Sequence, residues 1–302
     1  MQLGFVSAIL ADLNLEDVLK FAAAEQFDCV ELMCWPVGKA ERRYAGVTHV
    51  DVNNLSSSEV SRIKGLLEQY GVGISALGYY PNVMTADAAE SESTIAHLMR
   101  VIEAAPLLDV HTVTTFIGRD QWKTVDDNFA LFHKIWPPIV AHAAQCGVRI
   151  AIENCPMLFS NDEWPGGKNL ACSPAIWRRM FSELPSDHLG LNYDPSHQVL
   201  QFMDYLTPLA EFKQKLFHLH AKDMRIEHQR LNDLGNLVQG WSTPKIPGYG
   251  DINWARFLAS VSDMGYSGPL CIEVEDRAFE GSLEARKQSL RIARNVLRPL
   301  MS

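Results

Sequence analysis

Four stretches of this chain end in side chains able to bind a cation or move a proton. They are Ala151-Ile152-Glu153-Asn154-Cys155-Pro156, Asn192-Tyr193-Asp194-Pro195-Ser196-His197, His218-Leu219-His220-Ala221-Lys222-Asp223 and Ile272-Glu273-Val274-Glu275-Asp276. If each is an extended strand, alternation places Glu153, Asp194, His220 and Glu273 on one side and the apolar Ile152, Tyr193, Leu219 and Ile272 on the other. A lone acid at a strand end commonly caps a helix or joins an ion pair. Four such groups at matched depth in successive strands are hard to obtain from capping alone. Three carboxylates crowded in a low-dielectric pocket repel one another, and a divalent cation is the ordinary way to neutralise them. One imidazole with three carboxylates favours a hard or borderline ion, Mn2+ foremost with Mg2+, Co2+ or Zn2+ as alternatives, and disfavours a thiolate-bound structural zinc. His218 shares the parity of His220 but lies a layer deeper, which suits a hydrogen-bonded core histidine better than a second ligand. Glu275 lies a layer further out, as a substrate contact or a rim charge. Lys222 also faces inward, either as a base or oxyanion partner or in a salt bridge with Asp223 or Glu275.

Parallel strands must bring these ends together, and the rest of the chain supplies them. Eight apolar runs alternate with amphipathic stretches: Leu3–Ala8, Cys29–Met33, Gly73–Tyr80, Val110–Gly118, Val148–Asn154, Leu189–Asp194, Leu216–Lys222 and Pro269–Val274. Helix signals fall between them: Asn14 before Leu15, a capping box from Ser56 to Glu59 closing at Gly71, and Ser173 before Pro174. Trp136-Pro137-Pro138 lies inside a helical stretch and is expected to kink or split it. A last helix runs from Ser282 to Leu297. Eight βα units with no linker or charge block predict a single-domain (β/α)8 TIM barrel over residues 1–302, with functional groups at the C-terminal strand ends. The alternative, a doubly wound sheet, would want a GxGxxG turn after the first strand, and Gly4-Phe5-Val6-Ser7-Ala8 offers none.

Composition narrows the partners. The 302 residues carry 36 acidic against 27 basic side chains, a formal net charge of -9. Binding through a phosphate backbone is driven by Lys and Arg, so a nucleic-acid partner is disfavoured. The N-terminus has no basic stretch before an apolar segment, and no apolar run approaches the ~20 residues a bilayer needs. A cytoplasmic protein with no membrane association is expected. Six scattered cysteines form no CxxC pair and read as reduced thiols, mostly in the core.

The segments Ile152-Glu153-Asn154, Tyr193-Asp194-Pro195-Ser196-His197, His218 to Asp223, Pro247-Gly248-Tyr249-Gly250-Asp251-Ile252 and Gly265 to Pro269 leading into Ile272-Glu273 together resemble the xylose isomerase-like TIM barrels. Within them the likeness is to the sugar isomerase/epimerase branch that includes D-tagatose 3-epimerase and inosose dehydratase, and it spans nearly the whole chain. The resemblance implies a Mn2+-type ion held by Glu153, Asp194, His220 and Glu273. It also implies substrate contacts from His197, three residues after the Asp, and from Arg225, shortly after the seventh strand. Ion-pair readings of the same residues stand beside these: His197 with Asp194, and Arg225 with Asp223 or Glu227.

An ion at such a site can chelate a carbonyl and its neighbouring hydroxyl on a ketose or keto-sugar and acidify the adjacent C–H, leading to an enediolate. Glu153 and Glu273, on opposite sides of the sugar, would then remove and return protons as the catalytic pair, giving epimerisation or isomerisation. His197 and Arg225 would stabilise the oxyanion. With a leaving group in the β position, the same machinery becomes a dehydratase or β-eliminating lyase. The long segment from Met224 to Gly250, with Trp241, is expected to fold over the mouth as a loop and contribute a substrate-stacking face. Trp35 and Tyr79-Tyr80 offer similar walls. A sugar substrate, and a homodimer as in many relatives, are the expected partners. Two rivals share the ligands: an endonuclease IV-like repair nuclease, disfavoured because strands two to four end in Trp35, Tyr79-Tyr80 and Phe116 rather than extra histidines, and a non-catalytic sugar- or metal-binding barrel.

Overall fold

The helix signals act where the sequence places them. The Asn14 side chain accepts a hydrogen bond from Asp17 N and opens α1 (Leu15–Ala24), and the Ser56 hydroxyl accepts from Glu59 N and opens α2 (Ser57–Tyr70), which ends at Gly71. Further helices follow as α3 (Ala88–Leu107), α4 (Val125–Gln145), α5 (Pro174–Glu183), α6 (Ser196–Leu200), α7 (Thr207–Phe212), α8 (His228–Leu234), α9 (Trp254–Asp263) and α10 (Leu283–Leu297). The computed structural model describes residues 1–38, 44–158 and 167–301.

Eight strands close into a parallel barrel in the order β1-β10-β7-β6-β5-β4-β3-β2. They are β1 (Gln2–Val6), β2 (Cys29–Met33), β3 (Gly73–Gly78), β4 (Thr112–Thr115), β5 (Arg149–Glu153), β6 (Leu189–Tyr193), β7 (Leu216–Ala221) and β10 (Pro269–Ile272). Two ladders shift register: Ser75 of β3 is skipped opposite Val30 and Glu31, and Phe217 of β7 opposite Leu191 and Asn192. The extra residue lies in β3 and β7, so β2 and β6 keep their alternation. The core lies between barrel and helices, where Ile152, Tyr193, Leu219 and Ile272 are buried against elements such as Trp177 and Phe257. The six cysteines are free thiols, three of them buried. Among the described residues no helix is long and apolar enough to cross a membrane.

Three expectations need correction. First, of the kink or split expected at the tandem prolines, the split does not occur: α4 is one continuous helix of 21 residues with Pro137 and Pro138 inside it. Each proline costs about 3 kcal/mol in a helix interior. Phe129, Phe132, Trp136, Ile139 and Val140 are all buried from the same helix, at ~1.5–3 kcal/mol each, and the Trp136 indole N–H donates to Ile117 O at 3.0 Å. Packing outweighs the lost backbone bonds. Second, the fourth apolar run overshoots its strand, because Ile117 N and Gly118 N leave the ladder and donate to Asn169 Oδ1.

Third, the long segment after β7 is not a loop alone. It contains an antiparallel hairpin, β8 (Asp223–Ile226) with β9 (Ser242–Lys245), and α8 between them. Asp223 anchors it by accepting from Met224 N, Gly248 N, Ile252 N and Trp254 Nε1 at 2.9–3.1 Å. A Cβ at Gly250 would lie 2.3 Å from Asp223 Oδ1, so a side chain there would evict the anchor. The Pro247 to Ile252 motif is thereby a cradle for one carboxylate.

Candidate metal centre

The C-terminal strand ends bring four groups together. Glu153 ends β5, Asp194 follows β6, His220 lies in β7 and Glu273 follows β10, and one ligand atom from each lies within 4.8 Å of the others. His220 Nδ1 is 3.7 Å from Glu153 Oε1 and 3.6 Å from Glu273 Oε2. The backbone is fixed to suit. Asn154 accepts from Asp194 N and donates to Asp194 O, while Asn169 donates to Glu153 O and Cys155 O. Asp194 Oδ1 is taken by Ser196 N at 2.8 Å, which leaves Oδ2 turned to the centre.

Two buried ligand atoms there lack an ordinary hydrogen bond: His220 Nδ1 has no partner within range, and Asp194 Oδ2 meets only the charges of Lys222 at 3.2 Å and His197 at 3.3 Å. Leaving a buried polar group unpaired costs about 1–3 kcal/mol, a cost that a bound cation would relieve. Three carboxylates and an imidazole nitrogen fit a divalent cation. Glu153, Asp194, His220 and Glu273 are the residues that would hold it.

Part of the negative charge is answered by Lys222. Its buried ammonium lies 2.6 Å from Glu273 Oε2, 3.1 Å from Glu275 Oε2 and 3.2 Å from Asp194 Oδ2. Of the two expected salt-bridge partners, Glu275 is met and Asp223 is not, since Asp223 serves the hairpin. Burial alone would push the Lys222 amine down, but Glu273, Glu275 and Asp194 outweigh it and hold it well above its ordinary range. Burial likewise pushes Glu273 up, and Lys222 together with His220 outweighs it, bringing the carboxyl to about 2. Asp194 goes the other way: burial dominates and raises it, only partly opposed by Lys222 and His197. His197 Nε2 lies 3.1 Å from Glu153 Oε1 and 3.3 Å from Asp194 Oδ2. Because that nitrogen gives its proton to Glu153, the Lys222 ammonium 3.2 Å away is a neighbour and not a donor to it.

Beneath this cluster lies a second polar layer that the sequence reading largely missed. Glu31, in β2, is fully buried. Its Oε1 accepts from Tyr80 Oη at 2.5 Å and Thr114 Oγ1 at 2.7 Å, and its Oε2 from His220 Nε2 at 2.7 Å. His218 is the expected core histidine: Nδ1 donates to Asn192 Oδ1 at 2.9 Å, and Nε2 accepts from Ser75 Oγ at 3.2 Å. Burial brings it down to about 4, so it is neutral. Glu31, His218 and His220 also offer ligand atoms within 4.8 Å of one another, but here both Glu31 oxygens, both His218 nitrogens and His220 Nε2 already have partners. The signal that could have found Glu31 is an acid inside the otherwise apolar run Cys29-Val30-Glu31-Leu32-Met33.

The remaining candidates lie elsewhere. Arg225 is on β8, half exposed, with Nη2 2.6 Å from Glu227 Oε1. Trp241 is buried, stacks on Phe202 with ring centroids 4.9 Å apart and donates to Val238 O. Trp35 packs edge-on against Tyr79, and Tyr79 against His97.

A family model described as the xylose isomerase-like TIM barrel matches residues 19–300. The chain is 26% identical to the uncharacterized protein YfiH of Bacillus subtilis over 96% of its own length and 99% of that protein's. It is 22% identical to an inosose dehydratase of Clostridium perfringens over 81% of its own length and 84% of the enzyme's. Among solved structures, it superposes on an IOLI protein with a bound zinc atom at a TM-score of 0.73 and 17% identity, over the full length of both chains. It also superposes on a D-psicose 3-epimerase from Clostridium cellulolyticum H10, solved with D-tagatose, at 0.70 and 15% identity, again over both full lengths.

Proposed function

The chain belongs to the xylose isomerase-like TIM barrel family, and on that premise we propose that it is a metal-dependent enzyme that labilises a C–H bond next to the carbonyl of a sugar or cyclic polyol ketone. The observation that carries this reading is the convergence within 4.8 Å of ligand atoms from Glu153, Asp194, His220 and Glu273, with His220 Nδ1 buried and unpartnered. A divalent cation bound by these four residues would polarise the substrate carbonyl and acidify the neighbouring C–H.

The protein's own groups do the rest. Glu153 takes the proton on one side of the substrate; the adjacent His197 holds that carboxylate in place and receives part of its charge. Glu273 stands on the other side with Lys222 at 2.6 Å, so that a proton can be delivered there. Return of a proton to the opposite face of the same carbon gives an epimer, and return to the neighbouring carbon gives an isomer. Arg225 contacts the distal part of the substrate from the hairpin side, and Trp241, buried against Phe202, braces that region.

A second reading rests on Lys222 and His197. Two cationic donors inside the cluster suit protonation of a departing hydroxyl, which would make the enzyme a dehydratase, as the C. perfringens relative is named. One experiment separates the outcomes. Metal-stripped protein is reloaded with Mn2+ and incubated in deuterated water with D-tagatose, D-psicose or an inosose, and followed by NMR. Deuterium entering beside the carbonyl with retention of every hydroxyl identifies epimerisation or isomerisation, and loss of water identifies elimination. Undiminished activity in the metal-stripped sample, or exchange with none of these probes, removes the proposal.

A further inference from the structure

His220 has two ring nitrogens, and only one can face the ion. Rotating the ring by half a turn would exchange them, so something must choose. Glu31 Oε2 lies 2.7 Å from Nε2, whereas Nδ1 lies beyond hydrogen-bond range of Glu153 and Glu273, at 3.7 and 3.6 Å. Glu31 in turn cannot swing away, because the Tyr80 and Thr114 hydroxyls both hold its other oxygen. Strand alternation turns it into the lumen, on the same side as Cys29 and Met33. Room for it is made by Gly78, where a Cβ would lie 2.7 Å from Glu31 Oε1. The Asn192 amide nitrogen, 3.0 Å from His220 Nε2, does not compete as a donor, since that nitrogen already carries the proton given to Glu31; the amide donates to Tyr80 Oη instead.

We infer that Glu31 is a positioning residue: by holding the Nε2 proton of His220 it presents Nδ1 as the metal-ligating nitrogen and strengthens that nitrogen as a donor. The inference rests on the metal-dependent reading above. A carboxylate behind a ligating histidine fixes its ring and tautomer and raises its basicity, and losing such a partner typically weakens metal binding 10–100-fold. The neighbouring Glu31, His218 and His220 group is on this view the support of the upper site and not a second cation site. A cation seated there would have to displace the Nε2 proton that Glu31 holds.

The test measures binding and not turnover. Mn2+ and Zn2+ affinities of the whole protein are determined by competition with a chelating dye, for the wild type and for Glu31→Gln. In parallel, the 15N NMR spectrum of the Zn2+-loaded, histidine-labelled wild type identifies which His220 nitrogen binds the metal. The expected result is zinc on Nδ1 with Nε2 protonated, and an affinity roughly 10–100-fold lower in Glu31→Gln, with cooperative unfolding retained. Zinc on Nε2, or equal affinities, overturns the inference and leaves the functional proposal standing. A wild type that binds neither metal overturns both. If Glu31→Gln does not fold, the wild-type spectrum decides alone.

Discussion

The barrel mouth holds two polar layers of similar composition and opposite character. In the lower one, Glu31, Tyr80, Thr114, Ser75, Asn192 and His218 answer one another atom by atom. In the upper one, His220 Nδ1 is left over, and one ammonium is shared among three carboxylates, Asp194 Oδ2 among them. Buried polarity therefore does not by itself mark a reactive centre. What separates them is satisfaction: a closed network rigidifies, while an open one keeps a place for something the chain does not supply.

The strongest way to break this contrast is in the upper layer. Glu153→Gln or Glu273→Gln is expected to lower turnover at least roughly a thousandfold, about 4 kcal/mol of transition-state stabilisation, while circular dichroism shows the fold intact. A variant keeping full activity would show that the open layer is not the reactive one. In the lower layer the effect should be on stability. Asn192→Leu leaves the His218 Nδ1–H without its acceptor and Tyr80 without a donor, and should lower unfolding free energy by ~2–3 kcal/mol as read by urea titration. A loss below about 0.5 kcal/mol would deny that layer its structural role.

The layers should also part in pH dependence. The His218 pKa is lowered by burial to about 4, so as pH falls below the unfolded value near 6.5 the unfolded chain binds a proton first, and stability is lost between those limits. His218→Gln removes this contribution, and its stability should fall less steeply there, by up to ~1.4 kcal/mol per pH unit. The Glu273 carboxyl, brought down to about 2, acts lower: its contribution is present above its unfolded pKa and is lost as pH falls toward 2. An unchanged slope in His218→Gln would mean that the imidazole is protonated in the folded state. The smallest effect is expected outside both layers. Arg225→Ala removes an exposed ion pair with Glu227 and should change stability by less than about 1 kcal/mol, while kcat/KM falls about tenfold, mainly through KM. An unaltered kcat/KM would reduce Arg225 to its ion pair.

The upper layer was legible in the sequence because strand alternation and a terminal acid or imidazole suffice to place Glu153, Asp194, His220 and Glu273. The barrel followed from counting eight runs. The lower layer was not, since Tyr80 and Thr114 meet Glu31 only through closure of the barrel. Asn192 and Glu31 face inward by ordinary strand alternation, but alternation does not say which side chains of other strands they will meet. Asp223, beside a lysine in the sequence, looked like its ion-pair partner, yet its oxygens serve the hairpin. The tandem prolines of α4 misled for a related reason: local chemistry argued for a break, and five buried side chains from the same helix outvoted it.

Lys222 carries a consequence for ion affinity. This buried ammonium compensates much of the acidity at the mouth, so a dication bound as proposed would compete with it for Asp194 and Glu273. Binding on that reading is an exchange of one counter-ion for another, and the lysine would set how tightly the ion is held.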